Sequence, residues 1–474
     1  MKRAIRITVA LIILQVSVGM CISRCEARNL TTVLREGFTL NPGDPDAVVS
    51  LVGTVGANGF VDVSSIGTSL APVLSGAVAN AITQQSPLAS VAPAFTYRYN
   101  TALNVFERST PVPGPLFSER AVTIGPGQLN FGVAYSYVDM DDINGTNLQG
   151  IRTPLLLEAF CPFGSLFDER CNGRLNLGLS SVRTRLTIQT HLIVPTLRYG
   201  LTENWDIGLS IPLVNTFLRV RNDLIPVVQT ADAQFVFGGP QGVDFLTPDG
   251  TPATLSRVRF SVTSRPSRSL AKVAGSMTGV GDITLRTKYR LWGDELGGVA
   301  AGLELRLPSG EEKNFHGTGE THVTPFLYLS HVFWDLVEPH LNLGLDFNTT
   351  DVNRSALLYS VGVATLVWKQ LGAGIDVIGR SEFGRFPIKG NSLSGFALDG
   401  VPATCHSVTP CLINRAVPFR FPFPIKRNDI TDISFGFRYV LGVSGSVFLG
   451  ATLPLNDDGF RADVIPSGGV EYTF

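Results

Sequence analysis

The side chains best suited to chemistry in this chain are charged groups set at every second position between apolar ones. In Gly281–Trp292, Asp282, Arg286, Lys288 and Arg290 share one face, while Ile283, Leu285, Tyr289 and Leu291 share the other. The same period sets Arg183, Arg185 and His191 opposite Leu186, Ile188, Leu192 and Val194. Later segments carry Glu304, Arg306, Asp346, Asp376, Arg380, Asp432 and Arg438 in the same alternating way. Mixed rows of this kind suit two tasks: wetting a passage with some preference for anions, or pairing across strands to brace a narrow interior. Bond-making chemistry is poorly served. The six histidines (His191, His316, His322, His331, His340, His406) are scattered, and none stands in an HExxH spacing. Ser309-Gly310 and His316 are close in sequence, but no GxSxG or triad surrounds them. No enzyme activity, metal or cofactor is expected.

Residues that alternate in this way must be positioned by β-strands, whose side chains point to opposite faces in turn. From Gln128 onward the period recurs in Gln128–Val138, Val182–Tyr199, Trp205–Leu213, Gly281–Trp292, Val299–Pro308, Thr321–Phe333, Pro339–Asn348, Leu357–Val367, Leu371–Arg380, Ile430–Val440, Gly445–Leu455 and Asp463–Phe474, twelve segments in all. Their connections are short at 201–204, 293–297, 334–337, 368–370 and 441–444. They are usually longer at 139–180, 221–280, 309–320, 349–355, 382–429 and 456–462. Short turns on one rim and long loops on the other characterise outer-membrane barrels. All four tryptophans (Trp205, Trp292, Trp334, Trp368) fall at the short-turn ends, as an interfacial aromatic girdle requires. A soluble sandwich alternates as well but has no reason to gather tryptophan on one rim. The expected fold is all-β: a transmembrane antiparallel β-barrel of about twelve strands over residues 126–474. Because an Arg or Lys facing lipid at mid-bilayer costs about 2–4 kcal/mol, the charged rows are assigned to the lumen.

Composition and chain ends agree. The chain is 44% hydrophobic yet only 16% charged, and 38 basic against 39 acidic residues argue against nucleic acid as a partner. Lys2, Arg3 and Arg6 precede an apolar run from Ile7 to Met20, and Cys25-Glu26-Ala27 has small residues where a signal peptidase cuts, so residues 1–27 read as an export signal. Val470, Tyr472 and Phe474 share a face of the last segment, and a terminal Phe preceded by Tyr resembles the signal read by the outer-membrane assembly machinery. Cys161 with Cys171 and Cys405 with Cys411 form close pairs without zinc-site spacing and read as loop disulfides in an oxidising compartment. Residues 28–125 lack the strand period. They read as a plug or a periplasmic extension, with Ser64–Gln85 able to form a helix. The partners implied are outer-membrane lipid and a small-molecule solute, and nothing sets an oligomeric state. The long loops also admit a structural or surface-binding role.

Four stretches resemble a known family in order: FTYRYNTALNVFERSTPVPGPLFSERAVTIGPGQLNFGVAYSY (95–137), RYGLTENWDIGLSIPL (198–213), GVGDITLRTKYRLW (279–292) and LELRLPSGEEKNFHGTG (303–319). They are similar to proteins labelled as transporters of the MetA pathway of phenol degradation. The resemblance implies an outer-membrane channel for small, often hydrophobic or aromatic compounds, reached by passive passage, and it brings no catalytic motif.

Overall fold

A computed structural model describes residues 29–38, 78, 81–82, 96–100, 105–108, 110, 112–160, 174–226, 230–236, 243–246, 252–261, 268–384, 429–442 and 444–474. The export segment and all four paired cysteines lie outside the described residues, as does most of 64–85.

Twelve antiparallel strands close into a barrel. They are β1 (Leu129–Met140), β2 (Arg174–Gly200), β3 (Trp205–Ser210, resuming as Leu213–Pro226), β4 (Arg268–Val280, resuming as Ile283–Gly293), β5 (Gly297–Leu307), β6 (His322–His331), β7 (Val337–Asn348), β8 (Ala356–Trp368), β9 (Leu371–Glu382), β10 (Ile430–Leu441), β11 (Gly445–Pro454) and β12 (Ile465–Thr473). Each pairs with its neighbours in sequence, and β12 returns to β1 with Val470 opposite Val133 and Tyr472 opposite Phe131. The last residue completes the seam, because Phe474 and Leu129 exchange backbone hydrogen bonds of 2.8 and 3.3 Å. Closure leaves no open edge in the ring of twelve, which is the condition for strands to stand in lipid.

The outer face is apolar. Phe131, Leu197, Ile207, Leu285, Leu303, Leu343, Ile375, Phe437 and Val470 are each more than a third exposed, as are all four tryptophans. A continuous exposed apolar belt on a closed barrel has one suitable solvent, the hydrocarbon of a bilayer. The short-turn rim then faces the periplasm and the long connections face outward, so the protein is an outer-membrane barrel.

Two regions depart from the sequence reading. The connections at 139–180 and 221–280 are not open loops on this side of the barrel: β2, β3 and β4 continue well past the others, and Ile151–Phe160 pairs with β2. Thr230–Val236 and Pro252–Ser261 add a further antiparallel pair above them. Arg183, Arg185 and His191 also face outward rather than into the lumen. Their neighbours Thr184, Leu186, Ile188, Thr190 and Leu192 are at most 2% exposed and point inward. Alternation shows that two faces differ, but not which one is the core. Assigning charge to the lumen fails where the strand rises above the hydrocarbon.

The inner surface of this tall wall is apolar because chain covers it. Helix α1 (Leu30–Phe38) lies against β3 and β4. Leu30, Val33 and Leu34 are buried with Leu186, Ile188, Leu218 and Val220, and Val78, Ala81 and Ile82 join the same cluster. Asn29 caps the helix by accepting from Thr32 N at 2.8 Å. Leu218 and Leu213 offer a test of this inside-out assignment. Leu218→Ala, on the packed inner face, is expected to cost about 2–5 kcal/mol. Leu213→Ala, on the lipid face, should cost far less. Unfolding followed by the electrophoretic mobility shift of the folded barrel reads the difference, and equal losses would reverse the assigned faces.

Candidate functional site

The lumen is filled from the periplasmic side by the chain that leads into β1. This segment starts near the turn between β10 and β11, where Arg108 donates to the Gly442 carbonyl at 2.6 Å. It rises to Leu116 and Phe117, which pack with Ala134 and Phe448 of the inner wall. It then crosses the barrel through Ser118-Glu119-Arg120 and descends to Gly127, whose N–H meets the Gly200 carbonyl at 2.8 Å. At that crossing Gly200 must lack a side chain, since a Cβ there would overlap the Gly125 carbonyl.

Glu119 is the hub. Arg198 reaches it through both terminal nitrogens, at 2.5 and 2.9 Å, with Arg286 Nη1 at 3.2 Å and Lys288 Nζ at 3.1 Å. The Lys288 ammonium also donates to the Arg120 and Val122 carbonyls at 3.1 and 2.9 Å, so one strand residue grips three points of the crossing chain. Arg120 pairs with Glu338 on β7, and Ser118 donates to Asp376 at 2.5 Å beside His340. Ala121 N donates to Ser330 Oγ at 2.9 Å. Bidentate and charge-assisted bonds are among the strong polar contacts, and these tie the crossing chain to β2, β4, β6, β7 and β9.

The sequence-selected residues divide into groups. Arg286, Lys288 and Glu304 belong to the hub, with Arg286 also paired to Glu304. Asp346 gathers Arg380 at 2.6 Å, Arg306 at 3.7 Å and His322 at 2.9 Å. Asp376 holds Ser118, Asp432 pairs with Arg461, and Arg438 joins Glu471 at 3.1 Å and the Gly114 carbonyl at 3.3 Å. Arg290 lies at the periplasmic rim, bonded to Asn204 and the Asp294 carbonyl. Asp282 does not line the cavity beside the crossing chain. It accepts from Gly310 N and from Thr318 N and Oγ1, and so pins the connection between β5 and β6. Tyr472 and Phe474 pack edge to face on the lipid side, with centroids 4.7 Å apart.

Period set His340 inward with Asp346, whereas Glu119, Arg120, Arg198 and Glu338 were not singled out by it. Glu119-Arg120 carries the only charges between Arg108 and Asp139, within an otherwise neutral run. An isolated acid–base pair leading into a barrel was the available signal.

Beside the crossing chain is a cavity of about 160 Å³. Phe117, Phe326, Tyr328, Leu358 and Ile378 line it together with the paired charges of Glu119, Arg286, Glu304, Arg306, Asp346, Arg380 and Asp432. Phe326 and Tyr328 stack with centroids 5.4 Å apart. Glycines at 344 and 302 on the flanking strands leave room for their rings.

Toward the outer side, α1 is held over the wall by the connection between β5 and β6, where Leu30 N donates to Asn314 Oδ1 at 3.1 Å. Burial pushes His316 of that connection below its ordinary value of 6.5, and its contact with the Met277 carbonyl offsets only part of this. The fold therefore prefers neutral His316. The stability this contributes is lost as pH falls below 6.5, where the opened form takes up the proton first. Between about pH 7 and pH 5 the wild type should lose more thermal stability than His316→Gln, and parallel slopes would exclude the effect. Glu119→Gln is expected to weaken the hub by about 3–5 kcal/mol. Protease sites within 112–127 should open while the barrel stays folded, and unchanged protection would show that the hub does not hold the segment.

Residues 225–399 match the family described as "Putative MetA-pathway of phenol degradation", the family that the sequence motifs resemble. No curated protein matches the chain in sequence. Among solved structures, an outer membrane channel from Pseudomonas putida F1 is 11% identical with a TM-score of 0.37, covering 75% of this chain and 98% of its own. The Pseudomonas putida toluene transporter TodX is 9% identical with a TM-score of 0.29, covering 77% and 95%. A Pseudomonas aeruginosa FadL homologue is 11% identical with a TM-score of 0.27, covering 74% and 89%.

Proposed function

We propose that this protein is a passive outer-membrane channel for small hydrophobic or aromatic compounds, with residues 112–127 as its resident plug. The observation that carries this reading is the cavity beside the plug. Its roughly 160 Å³ is close to the ~150 Å³ apolar cavity known to admit benzene. Its lining offers ring faces and apolar side chains to such a molecule, while its charges are already paired with one another. A solute without charge could therefore displace little and still be accommodated. Above it, the apolar inner wall of β2 and β3 is packed under α1, so in this reading α1 must shift for a solute to enter from the outer rim. The description of the matching family, phenol degradation, fits that class of solute.

In this reading the lumen charges brace the barrel and seat the plug rather than select ions. Residues 1–27 direct export, Tyr472 and Phe474 present the final strand to the assembly machinery, and Cys161–Cys171 and Cys405–Cys411 close disulfides in two outer loops. Mass analysis of the mature, unreduced protein checks the cleavage near Ala27 and both disulfides together.

The test of transport is flux of a single-ring solute, such as phenol, into liposomes carrying the purified barrel. The intact protein should pass phenol faster than a disaccharide. A variant lacking residues 112–124 should admit both and raise ion conductance by at least about tenfold, since the charged lumen would then be open to water. If neither form passes any solute, transport is excluded.

A further inference from the structure

We propose that the outward face of the tall wall binds the phosphorylated headgroups of the glycolipid that forms the outer leaflet around the barrel. The carriers are Arg185 of β2, Arg219 and Arg221 of β3, and Lys272 of β4. Their position comes from the strand register. Tyr135, Tyr137, His191 and Phe217 form an aromatic band at the upper edge of the lipid belt: Tyr137 is opposite His191, and the Tyr135 hydroxyl lies 2.8 Å from His191 Nδ1. Aromatic side chains of this kind mark the boundary between hydrocarbon and headgroups. Arg219 is two residues beyond Phe217 and Arg221 two further, steps of ~7 Å each along the strand. The cations therefore begin at the level where headgroup phosphates lie.

The second observation is how these cations are arranged. Arg185 is directly opposite Arg221, and Arg221 directly opposite Lys272, so three positive side chains form one row across three strands. Like charges directly opposite destabilise a sheet. Among the described residues the compensation is small: Asp223 is shared by Arg221 at 3.1 Å and Arg185 at 3.5 Å. Arg219 lies over the Phe217 ring at 5.0 Å and leaves its charge available. Arg185 and Arg221 remain 40% and 45% exposed despite their shared carboxylate. Such a row is relieved by a polyanion that meets all three cations at once, and a phosphorylated sugar headgroup has that chemistry. Guanidinium groups suit phosphate because their planar forks bond two oxygens together.

The opposite side of the barrel provides a control. At the loop-ward ends of β6, β7 and β8 the outward residues are Val323, Phe347 and Leu357, so the apolar belt there runs up to the loops without a cationic row. Among the described residues, the cationic row lies in the sector where the wall rises past the hydrocarbon.

The experiment uses the full-length folded barrel in detergent and compares three probes: bisphosphorylated lipid A, the same lipid with its phosphates removed, and inorganic phosphate. Bound lipid is counted by native mass spectrometry. The wild type should retain the bisphosphorylated lipid at least tenfold more tightly than the dephosphorylated form. The triple variant Arg185→Gln, Arg221→Gln, Lys272→Gln should lose that preference, and Arg185→Lys with Arg221→Lys should keep most of it. Equal retention of both lipids by the wild type would overturn the proposal. So would an unaltered preference in the triple variant, or displacement of the lipid by equimolar inorganic phosphate, which would indicate a site for a simple anion. Folding of each variant is checked by its electrophoretic mobility shift. If the triple variant does not fold, raising salt from about 0.05 to 0.5 M on the wild type decides the matter. The phosphate preference should fall several-fold, and a preference indifferent to salt would overturn the proposal.

Discussion

Everything in this molecule depends on the pairing of the final strand with the first. A backbone N–H or C=O left open in hydrocarbon costs several kcal/mol, so twelve strands can stand in lipid only if the ring is complete. The seam between β12 and β1 meets that condition, with Val470 and Tyr472 in register with Val133 and Phe131 and the terminal Phe474 bonded to Leu129. Because the segment before Leu129 leads straight into that seam, it emerges at the periplasmic mouth, the one position from which it can turn upward into the lumen.

Closure also creates an interior that the chain must fill. Side chains barred from the lipid face must be wet or paired, and a barrel of this size has little room for bulk water once Phe117 and its neighbours enter. Glu119 resolves that constraint for the lower half. One carboxylate meets Arg198, Arg286 and Lys288, so cations that would repel across a narrow lumen are drawn onto the plug instead. Removing one partner from such a set leaves buried charge uncompensated, which makes the crossing segment and the barrel wall mutually dependent. The upper half uses the opposite chemistry. There, α1 covers an apolar wall, and the cavity lies between the two regimes, with aromatic rings on one side and ion pairs on the other.

The tall wall formed by β2, β3 and β4 explains the main departure from the sequence reading. Within hydrocarbon, apolar side chains face out and polar ones face in. Above it the solvent on the outside changes, and so does the sign of the pattern: Leu218 and Val220 turn inward, Arg219 and Arg221 outward. The strand itself continues without interruption in its period. A charged outer face was therefore read as a connecting loop at 221–280 and as lumen at Arg183, Arg185 and His191.

The sequence by itself determined the number of strands, the order in which they pair, the rim that carries the tryptophans, and that Arg286, Lys288, Glu304, Arg306, Asp346, Asp376, Arg380 and Arg438 stand on the face opposite the apolar belt. These follow from a local rule, the two-residue period, read against a single apolar solvent. Tertiary structure alone decided three things: which face of β2 is the core, where residues 112–127 lie, and which carboxylate each buried cation meets. The physical reason is the same for all of them. Period records that two faces of a strand differ, whereas the identity of each face depends on what another part of the chain, or the membrane, brings against it. Glu119 is far from Arg198 and Arg286 in sequence, and no spacing rule joins them. Only the closed ring, with residues 112–127 crossing inside it, brings the charges of the hub together.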